Sequence, residues 1–157
     1  MTSATADLWD EFGTSLQSCV TPFLQYGGLA VFSGPISTVR CHEDNALVKS
    51  VVSGPGEGRV LIVDGQGSRR CALMGDMIAK IAQENGWAGV VIHGCVRDVA
   101  ILRTVELGIK AIGSSPAKSS KTGDGEKDVE ISFGGVTFRP GDLLFSDEDG
   151  VVVKPAA

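Results

Sequence analysis

The sequence predicts a mixed α/β domain, and three patterns carry that prediction. The first half alternates short apolar runs with helix-like stretches, the second half is mostly short strand-like runs, and 21 glycines in 157 residues punctuate both. A hydrophobic share of 43%, a charged share of 21% and a mean hydropathy of +0.15 supply enough apolar surface for a packed core. At 157 residues the chain is expected to form one domain over 1–157.

The elements follow in order. Leu8, Trp9, Phe12 and Leu16 recur at helical spacing, which predicts an amphipathic helix from Thr5 to Leu16 despite Gly13. Two strands, Leu29 to Phe32 and Ile36 to Arg40, are expected on either side of a Ser33-Gly34-Pro35 turn. Asp44 or Asn45 can cap a short helix through Val52, and the run Val60-Leu61-Ile62-Val63 reads as a buried strand ending at Asp64-Gly65. Met77, Ile78, Ile81 and Ala82 form a helical stripe that begins at Gly75-Asp76 and stops near Gly86. Gly89 to His93 is the next strand, Asp98 to about Leu107 a helix, and Ile109 to Ile112 a strand. Ser114 to Asp128, polar and lysine-bearing, reads as a long surface loop able to serve a ligand. Strands resume at Val129 to Phe133, Val136 to Phe138, Leu143 to Phe145 and Val151 to Val153.

Charge and motif content exclude several classes. A net charge of −5 repels phosphate backbones and anionic lipid, so direct nucleic-acid binding is not expected. No membrane span or secretory leader is evident, and a soluble cytoplasmic protein is expected. Cys19, Cys41, Cys71 and Cys95 contain no CxxC pair and read as free thiols. Arg70 stands where a GxGxxG motif beginning at Gly65 needs its third glycine, no Walker lysine follows, and no GxSxG elbow exists. His42 and His93 read as structural, Lys118 and Lys121 by default as solvated charges, one of which a crevice over an anionic substrate could recruit, and Lys110 as the sole candidate for a Schiff-base lysine.

One juxtaposition points to chemistry. A helix from Asp76 to Asn85 covers roughly 15 Å and the strand that follows returns about the same length, so the chain comes back to its starting edge. Asp76, the turn Gly94-Cys95-Val96-Arg97-Asp98 and the turn Asp64-Gly65-Gln66-Gly67 are therefore expected along one crevice. Helix amides and Arg97 suit a carboxylate, while Asp76 and Asp98 suit a hard cation, a combination that fits a metal-bound oxo acid. Each residue also has a plain structural use, as helix cap or surface charge.

Gly34-Pro35-Ile36-Ser37-Thr38-Val39, Glu43-Asp44-Asn45, Val63-Asp64-Gly65-Gln66-Gly67-Ser68, Gly75-Asp76, His93-Gly94-Cys95-Val96-Arg97-Asp98 and Gly108-Ile109-Lys110-Ala111 together resemble the RraA family, over about Asp7 to Lys154. That family includes regulators of ribonuclease E activity and class II 4-hydroxy-4-methyl-2-oxoglutarate aldolases, and some members are labelled demethylmenaquinone methyltransferases. The resemblance implies a three-layer ββα sandwich of the swivelling-domain type with mixed sheets, assembled as a homotrimer. The aldolase branch carries an Asp, twenty residues, then Arg-Asp, and Asp76 with Arg97-Asp98 matches that spacing.

By the same resemblance Asp98 is the ligand of Mg²⁺ or Mn²⁺, and Arg97 contacts the oxo and carboxylate oxygens of a small 2-oxo acid. The amides of Gly75, Asp76, Met77 and Ile78 would hold its carboxylate, and Asp76 would orient a metal-bound water. The implied activity is a pyruvate-forming lyase acting through a metal-stabilised enolate, either an oxaloacetate decarboxylase or a 4-hydroxy-4-methyl-2-oxoglutarate aldolase. Longer aldolases supply an acidic residue from a C-terminal extension of the adjacent subunit, whereas this chain stops at Ala157, so oxaloacetate decarboxylation is the safer expectation. The alternative the family offers is a regulator that binds the ribonuclease or an associated helicase. The methyltransferase reading ranks third, because no adenosyl-binding loop is evident.

Overall fold

The computed structural model describes residues 4–156. The chain opens with α1 (Thr5–Phe12), the 3-10 turn Gly13–Ser15, β1 (Gln17–Ser18), β2 (Leu24–Gln25), β3 (Phe32–Arg40), α2 (Ala46–Val52) and β4 (Val60–Asp64). It continues with β5 (Ala72–Met74), α3 (Asp76–Glu84), β6 (Gly89–Val96), α4 (Val99–Leu102) and β7 (Gly108–Ser114). The last third is β8 (Glu126–Lys127), β9 (Ile131–Phe133), β10 (Val136–Phe138), β11 (Leu143–Ser146) and β12 (Val151–Lys154).

The mixed α/β prediction holds. One sheet runs β1-β12-β11-β3-β4-β6-β7-β2, with β5 paired to β6 and β8 to β3, while β9 and β10 form a separate hairpin. The pairs β3/β4, β4/β6, β5/β6 and β6/β7 are parallel, and the other strand pairs are antiparallel. Every residue of β4 is buried, as a strand covered on both faces requires. Its side chains divide by alternation. Leu61 and Val63 join Val48, Val52, Ala79, Ala82 and Leu102 from the helices, whereas Val60 and Ile62 join Phe133, Phe138 and Leu144 from the other strands. Helices, central sheet and outer strands thus stack as the three layers of a ββα sandwich. A third cluster of Leu8, Leu16 and Val152 seats α1 against β12.

Four expectations need correction. The opening helix stops at Phe12 rather than Leu16, because Gly13 turns the backbone to φ 52° and begins the 3-10 turn. No turn separates Ser33 from Ile36. β3 is a single nine-residue strand that changes partner at Pro35: Phe32 to Pro35 pair with β11, and Ile36 to Arg40 pair with β4. Proline, with no amide hydrogen to donate, is tolerated at this switch between neighbours. Leu29 to Val31 lie outside any strand. β6 reaches Val96, so Gly94-Cys95-Val96 is strand rather than turn, and α4 ends at Leu102 instead of near Leu107.

The long segment after Ser114 is also more tied down than a free surface loop. β8 pairs with β3, and single bridges join Ser120 to Asp44 and Lys118 to Ala72. Among the described residues no helix is long and apolar enough to cross a membrane.

Candidate active site

Strand register builds this site. In the parallel pair β5/β6, Ala72 lies opposite Cys95 and Met74 opposite Val96. The residues that leave the two strands next, Gly75-Asp76 and Arg97-Asp98, therefore emerge side by side. Two hydrogen bonds lock them: the Arg97 amide donates to the Met74 carbonyl at 3.0 Å, and the Asp76 amide donates to Asp98 Oδ2 at 3.0 Å. Asp98 stands at the start of α4 with a left-handed backbone, φ 60° and ψ 40°. Gly75 makes the close approach feasible, since a Cβ there would sit 2.5 Å from Asp98 Oδ2 and 3.2 Å from Arg97 Cγ.

Gly75, Asp76, Met77, Ile78, Arg97 and Asp98 all line one cavity of about 620 Å³. The first internal bond of α3 runs from the Ala79 amide to the Gly75 carbonyl, so the amides of Met77 and Ile78 precede the helical ladder and can donate to an anion. The Asp76 amide is engaged by Asp98. Asp76 also stands 3.9 Å from Lys80 Nζ one turn along the helix.

Sequence reasoning missed the rest of the wall. Asn45, Lys49, Ser50 and Ser53 come from α2 and its cap, and Lys118, Ser119 and Lys121 come from the segment after β7. The lysines were visible in the sequence, but nothing in their spacing shows that Ala72 bonds to Ala117 and carries this segment along the outer edge of β5. Four basic side chains and two carboxylates line the cavity, an excess of positive charge on a chain of net −5. An anionic ligand is what such a cleft attracts.

Other candidates fall outside it. Asp64-Gly65-Gln66-Gly67 does not line the cavity and instead closes on β6, where the Gly67 amide donates to the His93 carbonyl at 3.0 Å. His93 packs flat on Phe133, centroids 4.6 Å apart, with Nδ1 3.4 Å from Asp64 Oδ1. His42 faces Glu43 at 3.9 Å. Lys110 is buried and donates to the carbonyls of Asp147 and Gly150, a tie between β7 and the β11–β12 turn. Burial lowers its pKa, partly offset by the Asp147 carboxylate. All four cysteines are free; burial pushes the Cys41 thiol up to about 12 and raises those of Cys71 and Cys95.

The donor chemistry fits a hard divalent cation. Asp76 and Asp98 supply carboxylate oxygens, no histidine or cysteine lines the cavity, and no cluster of three or more ligating side chains occurs among the described residues. A site of one or two carboxylates completed by ligand and water is the arrangement that suits Mg²⁺ or Mn²⁺ rather than structural zinc.

Known structures share this architecture. A structure described as an S-adenosylmethionine:2-dimethylmenaquinone methyltransferase from Geobacillus kaustophilus HTA426 is 51% identical, with a TM-score of 0.95 over 99% of this chain and 96% of that one. The RNA-processing inhibitor RraA from Thermus thermophilis is 46% identical, with a TM-score of 0.95 over 99% of this chain and 94% of that one. Streptomyces coelicolor RraAS2, described as an unusual member of the RNase ES inhibitor RraA family, is 29% identical, with a TM-score of 0.80 over 99% and 82% of the two chains. The family described as RraA-like, Aldolase/RraA, matches residues 2–153, and the chain belongs to it.

Proposed function

We propose that the protein is a divalent-metal-dependent lyase that releases pyruvate from a small 2-oxo acid, as an oxaloacetate decarboxylase, a 4-hydroxy-4-methyl-2-oxoglutarate aldolase or both. The observation that carries this reading is the convergence of Asp76, Arg97 and Asp98 on one positively lined cavity. Asp98, with Asp76 beside it, would hold Mg²⁺ or Mn²⁺, which when bound supplies Lewis-acid polarisation of the substrate's 2-oxo and carboxylate oxygens.

The chain's own groups account for the rest. The amides of Met77 and Ile78 hold the 1-carboxylate at the positive end of α3, and Arg97 pairs with the same carboxylate and the adjoining oxo oxygen. When the C3–C4 bond breaks, its electron pair stays on C3 and delocalises toward the 2-oxo oxygen, where the Arg97 guanidinium stabilises the developing charge. Asp76 orients a water that returns a proton to C3 and, in the aldol cleavage, takes up the proton the C4 hydroxyl loses, leaving pyruvate and either CO₂ or a second carbonyl product. Pyruvate release assayed with and without chelator, for wild type, Arg97→Ala and Asp98→Ala, tests the reading. Equal rates in all of them would remove it.

A second reading has its own support, because relatives at 46% and 29% identity are described as RNA-processing and RNase ES inhibitors. In it the acidic chain, as a homotrimer in the cytoplasm, docks on basic segments of a ribonuclease or an associated helicase. Pull-down with purified ribonuclease E decides it: capture insensitive to chelator favours regulation, and no capture excludes that target. Methyl transfer is supported only by one relative's description, and calorimetry showing no S-adenosylmethionine binding would dispose of it.

A further inference from the structure

A second cavity, of about 260 Å³, lies between α1 and the start of β12, and its chemistry is the reverse of the first. Val151 and Val152, both buried, form an apolar floor, and the exposed residues Ala6, Trp9, Asp10 and Asp149 line it above them. Leu8 and Leu16 seat α1 on Val152, yet the neighbouring Trp9 keeps 42% of its surface in solvent. An indole left open beside an apolar floor is a surface that a partner can cover.

The same helix shows what kind of group suits it. One turn after Trp9, the Phe12 ring carries the Lys154 ammonium of β12, 4.3 Å from its centroid. Over Trp9, the stronger cation acceptor of the two ring types, no cation stands among the described residues.

The charges around the groove agree. Residues 4–16 and 146–150 hold six carboxylates, Asp7, Asp10, Glu11, Asp147, Glu148 and Asp149, and no lysine or arginine. Asp147 is spent on Thr5 and on the Asp149 amide. The carboxylates of Asp10 and Asp149 have no hydrogen bond or ion pair among the described residues. Lys110, which feels Asp149 from behind the turn, is buried and donates to the carbonyls of Asp147 and Gly150. The groove therefore offers an aromatic face and two unmatched negative charges, the complement of an alkyl-stemmed cation.

We propose that this groove is the docking surface for an arginine-bearing segment of a partner protein, with the guanidinium over Trp9 and between Asp10 and Asp149. The regulator reading named no surface, and the proposal rests on it only for the partner being a protein. Anion chemistry in the first cavity and cation docking here occupy different faces lined by different residues.

The probe is an end-capped peptide of alternating arginine and glycine, titrated by NMR into wild type, Trp9→Leu, the double variant Asp10→Asn/Asp149→Ser, and Glu84→Gln. Glu84, exposed at the end of α3, controls for loss of charge elsewhere. Wild type is expected to bind with shifts centred on the Trp9 indole. Trp9→Leu should bind about threefold more weakly and the double variant about fivefold, while Glu84→Gln stays within about 1.5-fold.

No binding by wild type, equal affinity in the double variant, or an equal loss in Glu84→Gln overturns the proposal, the last by reducing it to bulk charge. A changed sedimentation of the double variant alone would show a second copy on the groove and overturn it too. Ribonuclease E captured equally by wild type and the double variant would remove the groove and leave the regulator reading intact. Peptide bound at Trp9 without capture of ribonuclease E would keep the groove and exclude that target.

Discussion

The two walls of the cavity are built by different physics. The wall of Gly75, Asp76, Arg97 and Asp98 is placed by the register of two parallel strands, and its short spacings follow from main-chain pairing in β5 and β6. The wall of Lys118, Ser119 and Lys121 has two isolated main-chain bridges, Lys118 to Ala72 and Ser120 to Asp44, and is pinned further by the side chain of Asp44. A wall set by register resists single substitutions outside the site itself, because many ladder bonds define it. A wall held by isolated bridges around one carboxylate can be loosened by one change.

The largest effects are expected where the first wall is attacked directly. Arg97→Ala or Asp98→Ala should lower pyruvate-forming kcat/KM by ~10² or more, the scale on which a charge-stabilising group acts, with near-unchanged circular dichroism. Gly75→Ala asks whether side-by-side packing matters as such. The backbone there, φ −124° and ψ −161°, is open to any residue, so the new strain comes from the methyl group, 2.5 Å from Asp98 Oδ2 and 3.2 Å from Arg97 Cγ. Turnover should fall at least tenfold and stability by about 1–3 kcal/mol, as overpacking does. Unaltered kinetics would show that the two strand ends can part without harm.

The second wall should give a smaller and different response. Asp44→Ala strips five part-buried contacts and leaves the donors of Ala46, Ser120, Thr122 and Gly123 without this acceptor. A loss of about 1–3 kcal/mol in unfolding free energy should accompany faster hydrogen exchange at Thr122 and Gly123, with the Asp76 amide unaffected. Exchange rising equally at Asp76 would mean that the walls are one cooperative unit, and the contrast drawn between them would fail.

That contrast also explains what could be read from the amino acids alone. The apolar run of β4, the stripe of α3 and the glycine-bounded β6 announce themselves through periodicity, and a strand–helix–strand path forces Asp76 near Arg97 and Asp98. Pro35 and Gly34 read as a turn because local chemistry does not reveal that β3 has two different neighbours along its length. α4 ends after four residues because the amides of Thr104 and Val105 bond to the carbonyls three residues back, Ile101 and Leu102, a tightening into turns that the helical pattern did not announce. The Lys118-to-Lys121 wall was illegible for a related reason: bonds between Asp44 and Thr122 span 78 positions and leave no periodic trace.

Acid should separate the walls further. Burial pushes the Asp44 carboxyl up, but donation from the Thr122 hydroxyl and amide and the Gly123 and Ala46 amides outweighs it and leaves the group below its ordinary value. Asp147 behaves alike: burial raises it, and the amide and hydroxyl of Thr5 more than compensate. A carboxyl whose folded pKa is depressed binds fewer protons folded than unfolded, so its stabilisation is whole above the unfolded value of about 3.9 and drains away as pH falls toward the folded one. Thermal midpoints of wild type and Asp44→Asn should therefore stay apart at neutral pH, begin to approach each other only as pH falls below about 4 and meet only toward the much lower folded value. A gap that persists undiminished at low pH would assign the difference to packing.

The smallest effect is expected at Lys80, whose ammonium lies 3.9 Å from Asp76 with the two side chains 53% and 34% exposed. An ion pair this open gains little, since water screens it and the lysine must give up rotamers to hold it. Lys80→Met should shift stability by no more than about 0.5 kcal/mol, and raising the salt concentration should erase the difference. If Asp76 serves the reaction only by orienting water, turnover should likewise stay within about twofold. A drop as large as that of Arg97→Ala would instead place Lys80 in the reacting set and extend the register-built wall one helical turn along α3.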